Sequence, residues 1–236
     1  MRIYLGGVTR PELKQARQLA PSHVFGATWT PHDRRLNYVP FFVDNGAFTD
    51  SFDPDEWVEL LDDLANYNYG PDFVVLPDVL NDAEETLERH RQYAPEVLNR
   101  GLPPAAVIQP GMDAETQVRL AERIGAKFVF VGGETRWQRA FGQNIVEEAH
   151  ALGMAAHIGN PSGEDGLVWA YRTGFDSADT STVTQNSYWH YVECLEEVTV
   201  DHSNRGSLKR EGRQATLFTD GGRRTRRSVG TDTEQP

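Results

Sequence analysis

Cysteine is almost absent: Cys194 is the only one in 236 residues. A single thiol excludes an internal disulfide and any cysteine-rich zinc site. Lysine is nearly as scarce, with Lys14, Lys127 and Lys209 alone among 23 basic residues. No apolar run is long enough to span a bilayer, and the opening residues, MRIYLGG, lack the layout of a signal peptide. The expectation is a soluble, cytoplasmic protein without membrane contact.

What is abundant is negative charge. The chain carries 35 acidic residues and a formal net charge of −12. A lysine-poor, acidic surface suits a halophilic cytoplasm, where concentrated salt screens self-repulsion. The charge is uneven. From Arg205 onward there are eight basic and four acidic residues, so this end carries +4 and the rest −16. That end is also rich in Gly, Ser and Thr and poor in apolar residues, which predicts a disordered basic tail over 201–236 behind a single domain at 1–200. A basic arm on an acidic body suits a phosphate backbone.

Short apolar runs recur at 2–5, 24–28, 40–43, 73–76, 105–108, 128–131, 155–158 and 174–177. Most lack polar alternation, as strands buried on both faces of a parallel sheet do. Helical signals lie between them. Asp53 precedes Pro54 and Glu56, Thr9 pairs with Glu12, Asp113 precedes an apolar stripe that stops at Gly125, and Ser162 is placed to cap a helix ending before Gly174. A further helix is expected over 143–152, and none between Trp29 and Tyr38. Eight strands alternating with helices predict a (β/α)8 TIM-like barrel; a doubly wound sheet would want a glycine-rich phosphate fingerprint, which is missing.

Polar or small residues follow the strands. Asp44 opens Asp44-Asn45-Gly46-Ala47-Phe48, Asp78 follows FVVLP, and Gln109 follows AAVI. Gly132-Gly133-Glu134 follows FVFV, His157 ends another strand, and Asp176-Ser177-Ala178-Asp179 ends the last. In a barrel these positions share the rim where active sites are built. Carboxylates and a carboxamide can read the edge of a flat heterocycle, glycines admit close backbone approach, and Phe48 offers a stacking face. A further carboxylate can attack a sugar's anomeric carbon.

These residues resemble the tRNA-guanine transglycosylase family, and more closely its small relatives that place 7-deazaguanines in DNA, found in bacterial modification islands and viruses. The similarity runs in order from about Val43 to Ser181. It implies that Asp44 is a general acid/base, that Phe48 stacks on the base, and that Asp78, Gln109 and the Gly132-Gly133 backbone grip the guanine edge. Asp179 is then the covalent nucleophile and Asp176 its support, with His157 at the rim beside the substrate. The expected partners are DNA and a free 7-deazaguanine base, 7-cyano-7-deazaguanine above all, with no metal or redox cofactor. Members acting on tRNA carry a zinc site of three cysteines and a histidine, and a Pro-Thr-Arg after the nucleophile. Here only Cys194 and Val183-Thr184-Gln185 stand in those places, which favours DNA over tRNA. Two alternatives stay open: a tRNA-guanine transglycosylase lacking the zinc domain, and an inactive relative that only binds nucleic acid. The peptide Gln214-Ala215-Thr216-Leu217-Phe218 faintly resembles a sliding-clamp contact.

The tail expectation has a direct test. Each phosphate neutralised on duplex DNA adds about −0.9 to the log–log salt slope of binding. Deleting everything after Asn204 is expected to weaken DNA binding and flatten that slope while leaving the affinity for free 7-deazaguanine unchanged. Equal slopes for the full and truncated chains in a salt titration would make the tail a passive terminus.

Overall fold

The fold is taken from a computed structural model, which describes residues 1–31, 36, 38–46 and 52–203. Met1–Val198 form one compact unit; of a second, Thr199–Pro236, only residues 199–203 are described, and they are helical. The tail expected at 201–236, including Gln214 to Phe218, therefore lies outside the described residues from 204 onward, and so does Phe48.

Eight parallel strands close into a barrel in sequence order, β1 (Arg2–Leu5), β2 (Val24–Trp29), β3 (Phe41–Val43), β4 (Val74–Val75), β5 (Pro104–Ile108), β6 (Phe128–Val131), β7 (Ala155–Ile158) and β8 (Ser177–Thr180), with β8 pairing back onto β1. The connections carry α1 (Arg10–Leu19), α2 (Pro54–Ala65), α3 (Ala83–Asn99), α4 (Ala114–Arg123), α5 (Thr135–Ala151) and α6 (Gly166–Thr173), and α7 (Thr182–Asn186) follows β8. Of the connection between β2 and β3, residues 32–35 and 37 lie outside the described residues, and the described ones hold no helix. Among the described residues no helix is long and apolar enough to cross a membrane.

Helix ends follow the local chemistry. Thr9 and Glu12 form a capping box, and the Asp53 carboxylate accepts the amides of Asp55 and Glu56 ahead of the buried stripe Trp57, Leu60, Leu61 and Leu64. Asp113 caps α4 through the Thr116 amide. Two boundaries differ from expectation. The N-cap of α6 is Asp165, and Ser162 instead meets the Thr135 hydroxyl. Helix α5 begins at Thr135, eight residues before 143. Gly142 does not break it, because that glycine gives room to a ring: a Cβ there would lie 3.0 Å from Trp169.

Strand alternation sorts side chains into two cores. Outward residues such as Ile3, Leu5, Val129, Val131 and Ala178 join the helices in the larger one. Inward, Tyr4, Phe42, Phe73, Val75, Ala105 and Val107 fill the barrel, with Phe128 and Phe130 packed on them. Tyr4 and Phe42 meet edge to face, and Phe42 stacks on Phe73 at 4.7 Å. At the end where the strands begin, Tyr4 donates its hydroxyl to Asp72 at 2.7 Å and Arg2 pairs with the same carboxylate.

Gly26 is the tightest point of this interior. A Cβ there would come 2.4 Å from the Pro40 carbonyl oxygen and 2.9 Å from the Tyr4 ring. Backbone cannot yield as a flexible side chain can, so Gly26→Ala is expected to cost about 1–3 kcal/mol of folding stability. Chemical denaturation measures this directly, and an unchanged midpoint and slope would contradict the packing described.

Candidate active site

A cavity of about 550 Å³ opens where the strands end, a volume in the range of small-molecule sites. Val75, Val107 and Phe130 give it an apolar floor, and Asp44, Asp78, Gly132, Gly133 and Asp179 stand around it. Five of the residues to which the resemblance gives a role thus line one space. Its charge is one-sided: Asp44, Asp78, Glu134 and Asp179 contribute carboxylates, and among the described residues no lysine or arginine lines it. Such walls accept hydrogen bonds from a donor-rich ligand edge and repel a phosphate from the interior.

Asp78 is held on both oxygens. Asn45 donates to Oδ1 and Gln109 to Oδ2, each at 2.8 Å, and the Asn45 amide also reaches the Leu76 carbonyl. Burial raises the pKa of Asp78, while Asn45, Gln109 and Arg89 work in the opposite direction. Gln109 itself corrects an expectation. It is 2% exposed and absent from the cavity wall. Its other amide atom, Oε1, accepts from the Asn81 amide, and Gln117 grips its backbone at both ends. Gln109 thus stands behind the wall and orients Asp78, which is on it. Asn45, 3% exposed, was not foreseen as part of the site. Its only sequence signal is its place beside Asp44. The Asp44 carboxylate accepts the Gly46 amide at 2.8 Å, in a turn where Gly46 has φ +74°.

The last strand is shifted from its expected position. Residues 174–177 are more apolar, yet β8 is Ser177–Thr180, in register with β1 so that Tyr4 lies beside Asp179. Ser177 and Asp179 face inward, where their polar side chains are tolerated because both bond to one ring on the adjacent strand. His157 on β7 joins them: Nδ1 meets the Ser177 hydroxyl at 2.8 Å and Nε2 meets Asp179 Oδ1 at 3.0 Å. The Asn160 amide also donates to Oδ1, at 3.2 Å. Both bonds fall on the same oxygen, so Oδ2 of Asp179 has no hydrogen bond among the described residues.

Two other expectations are corrected here. His157 is 0% exposed and stands behind the cavity wall, in contact with Asp179. Asp176 precedes β8, and its carboxylate accepts the Ala156 amide and meets His150, each at 2.8 Å, near the start of β7. It lies roughly 10 Å of strand below Asp179, at about 3.3 Å per residue, and supports the barrel's other end.

The glycines are required by space. A Cβ on Gly132 would lie 2.9 Å from Gln109 Nε2, and Gly133 has φ +77°. Gly159 lets the β7 end pass the Phe130 ring, which a Cβ would meet at 2.5 Å, and Gln138 ties down its carbonyl at 2.9 Å. Next to it Asn160 sits at φ +40°, an uncommon backbone for a residue with a side chain, and one that presents its amide to Asp179. Phe130 is an aromatic wall that the strand pattern hid among apolar neighbours; Phe48, expected as the stacking ring, lies outside the described residues. No three His, Cys, Asp or Glu side chains converge as a metal site among the described residues.

No family model matches the chain, and no curated protein does. Solved structures match, among them 2,3-dimethylmalate lyase, a PEP mutase/isocitrate lyase superfamily member, at 15% identity and a TM-score of 0.44, over 78% of this chain and 67% of that one. A likeness of that degree carries no argument about chemistry.

The Asp78 cluster has a pH signature. Its raised pKa means that the ionised carboxylate is a burden in the folded state, absent below the unfolded value of about 3.9 and growing as pH rises through the folded one. Gln109 eases that burden, so Gln109→Leu is expected to lose about 1–3 kcal/mol at neutral pH and distinctly less near pH 3, where only the Asn81 amide is left wanting. Thermal or urea unfolding across this range measures the difference; a loss independent of pH would contradict the Gln109–Asp78 coupling.

Proposed function

We propose that this chain is a base-exchanging glycosyltransferase that replaces guanine in DNA with a 7-deazaguanine, 7-cyano-7-deazaguanine in the first instance, through a glycosyl-aspartate on Asp179. The observation that carries this reading is the Asp179 carboxylate: Oδ1 is bonded twice, while among the described residues Oδ2 has no hydrogen bond, in a cavity walled by further carboxylates. That is the arrangement a covalent nucleophile needs, since orientation comes from one oxygen and attack from the other. The resemblance of the strand-end motifs to the transglycosylases points to the same residue.

In this mechanism the target guanosine leaves the stack and enters the cavity base first. Its phosphates stay outside, which the acidic walls favour. Asp78, fixed by Asn45 and Gln109, accepts from the N–H edge of the base, and the open backbone of Gly132 and Gly133 approaches its other atoms. Asp179 Oδ2 bonds to C1′ as the C1′–N9 bond breaks, and Asp44 supplies the proton to the departing guanine. The 7-deazaguanine then occupies the same space, returns a proton to Asp44, and attacks C1′ as the C1′–Oδ2 bond breaks. Two displacements retain configuration.

DNA is preferred to tRNA because the chain has one cysteine and lacks Pro-Thr-Arg after Asp179. Mass spectrometry of nucleosides from cells expressing the chain with a 7-deazaguanine supply is expected to find the modified deoxynucleoside. Modification of tRNA alone would move the activity to that substrate, and modification of neither would refute the exchange reading.

Asp179→Asn keeps an oxygen for His157 and Asn160 to bond but removes the nucleophile. Exchange of labelled guanine is expected to fall by at least about 10³-fold, with the melting temperature held. Exchange near the original rate would sink the assignment of Asp179.

A further inference from the structure

We propose that His157, held in one tautomer by Ser177, is the positioning residue of the Asp179 nucleophile; this rests on the role given to Asp179 above. A carboxylate can only accept, so the hydrogen bond to Oδ1 requires the proton on Nε2. Nδ1 is then a bare acceptor, and the Ser177 hydroxyl is the donor that meets it. The three side chains form a directed chain, Ser177 to His157 to Asp179, and each link sets the direction of the next. Ser177 is 3% exposed and His157 0%, so neither has water as an alternative partner.

The surroundings keep the ring neutral. His157 lies among the rings of Tyr4, Phe42, Phe73 and Phe130, with centroids 5.9, 5.1, 5.1 and 4.7 Å away. Among the described residues the titratable groups facing it are Asp179 and Tyr4, the latter tied to Asp72, which in turn pairs with Arg2. Burial lowers the pKa of His157, and Asp179 pulls the other way. An imidazolium would neutralise the charge that Oδ2 uses to attack. A neutral donor steers Oδ1 and leaves that charge in place.

The same bond serves both half-reactions. When Oδ2 bonds to C1′, Oδ1 becomes the carbonyl oxygen of the glycosyl ester and keeps its Nε2–H donor. When N9 of the incoming base attacks C1′, the electron pair of the C1′–Oδ2 bond returns to the carboxylate. The charge that reappears on Oδ1 meets a donor already aimed at it. No proton is gained or lost by His157 in either step.

The test replaces His157 by Phe, which keeps the aromatic packing and removes the donor, and by Gln, which restores an N–H; Ser177→Ala removes the tautomer lock. In labelled-guanine exchange, His157→Phe is expected to lower kcat on the order of 10²-fold with KM for the free base unchanged, and His157→Gln to recover most of the loss. A second readout needs no exchange. The pH midpoint for labelling Asp179 with a water-soluble carbodiimide, mapped by peptide mass spectrometry, is expected to rise in His157→Phe, return with His157→Gln, and rise less in Ser177→Ala. If His157→Phe fails to fold by circular dichroism, Ser177→Ala carries the labelling test. An unchanged midpoint in the folded variants overturns the proposal. A shifted midpoint in a protein whose parent exchanges no guanine leaves the positioning role standing and refutes the exchange reading alone.

Discussion

Closure of eight short parallel strands obliges each one to send alternate side chains into a space that excludes water. Everything at the site follows from how that space is filled. Toward the strand starts it takes rings, with Tyr4, Phe42 and Phe73 in mutual contact. Toward the strand ends the rings give way to polar groups, and each buried polar group must find a partner or forfeit its hydration. Ser177, His157 and Asp179 are inward positions of two adjacent strands, and they satisfy one another across the β7–β8 pair.

The same constraint explains why the cavity's carboxylates are so unlike one another. Asp78 is buried deeply enough for its pKa to rise, and two side-chain amides fix both its oxygens. Asp179 has one oxygen fixed and, among the described residues, no hydrogen bond on the other. A group bonded on both oxygens is suited to gripping a ligand edge, and one bonded on a single oxygen to reacting. The division of labour proposed for this site follows from that difference in hydrogen bonding, not from carboxylate content alone.

The barrel was legible in the sequence because apolar β-rich runs mark buried strands, and 2–5, 128–131 and 155–158 agree with β1, β6 and β7 at both ends. β8 was misread because its inward residues are polar, so Ser177–Thr180 looks like the loop after a strand. Asp44, Asp78 and Asp179 could be picked out as strand-end carboxylates. Their partners could not: Asn45 meets Asp78 across 33 residues, Gln109 across 31, and His157 meets Asp179 across 22. Those pairings exist only once the barrel has closed, and so the sequence puts Gln109 and His157 at the cavity wall, whereas they stand behind the residues that line it. The motif resemblance makes Asp176 a support for Asp179, whereas three residues of strand carry it to the opposite end.

The central claim is that Asp179 bonds covalently to a sugar. Incubating the protein with a guanine-containing DNA oligonucleotide, withholding the incoming base, and quenching under denaturing conditions allows the intermediate to be weighed. A covalent nucleophile gives a protein mass raised by the oligonucleotide less one guanine, with the adduct mapped by peptide sequencing to Asp179. Guanine released with no adduct, or an adduct on any other residue, would contradict it.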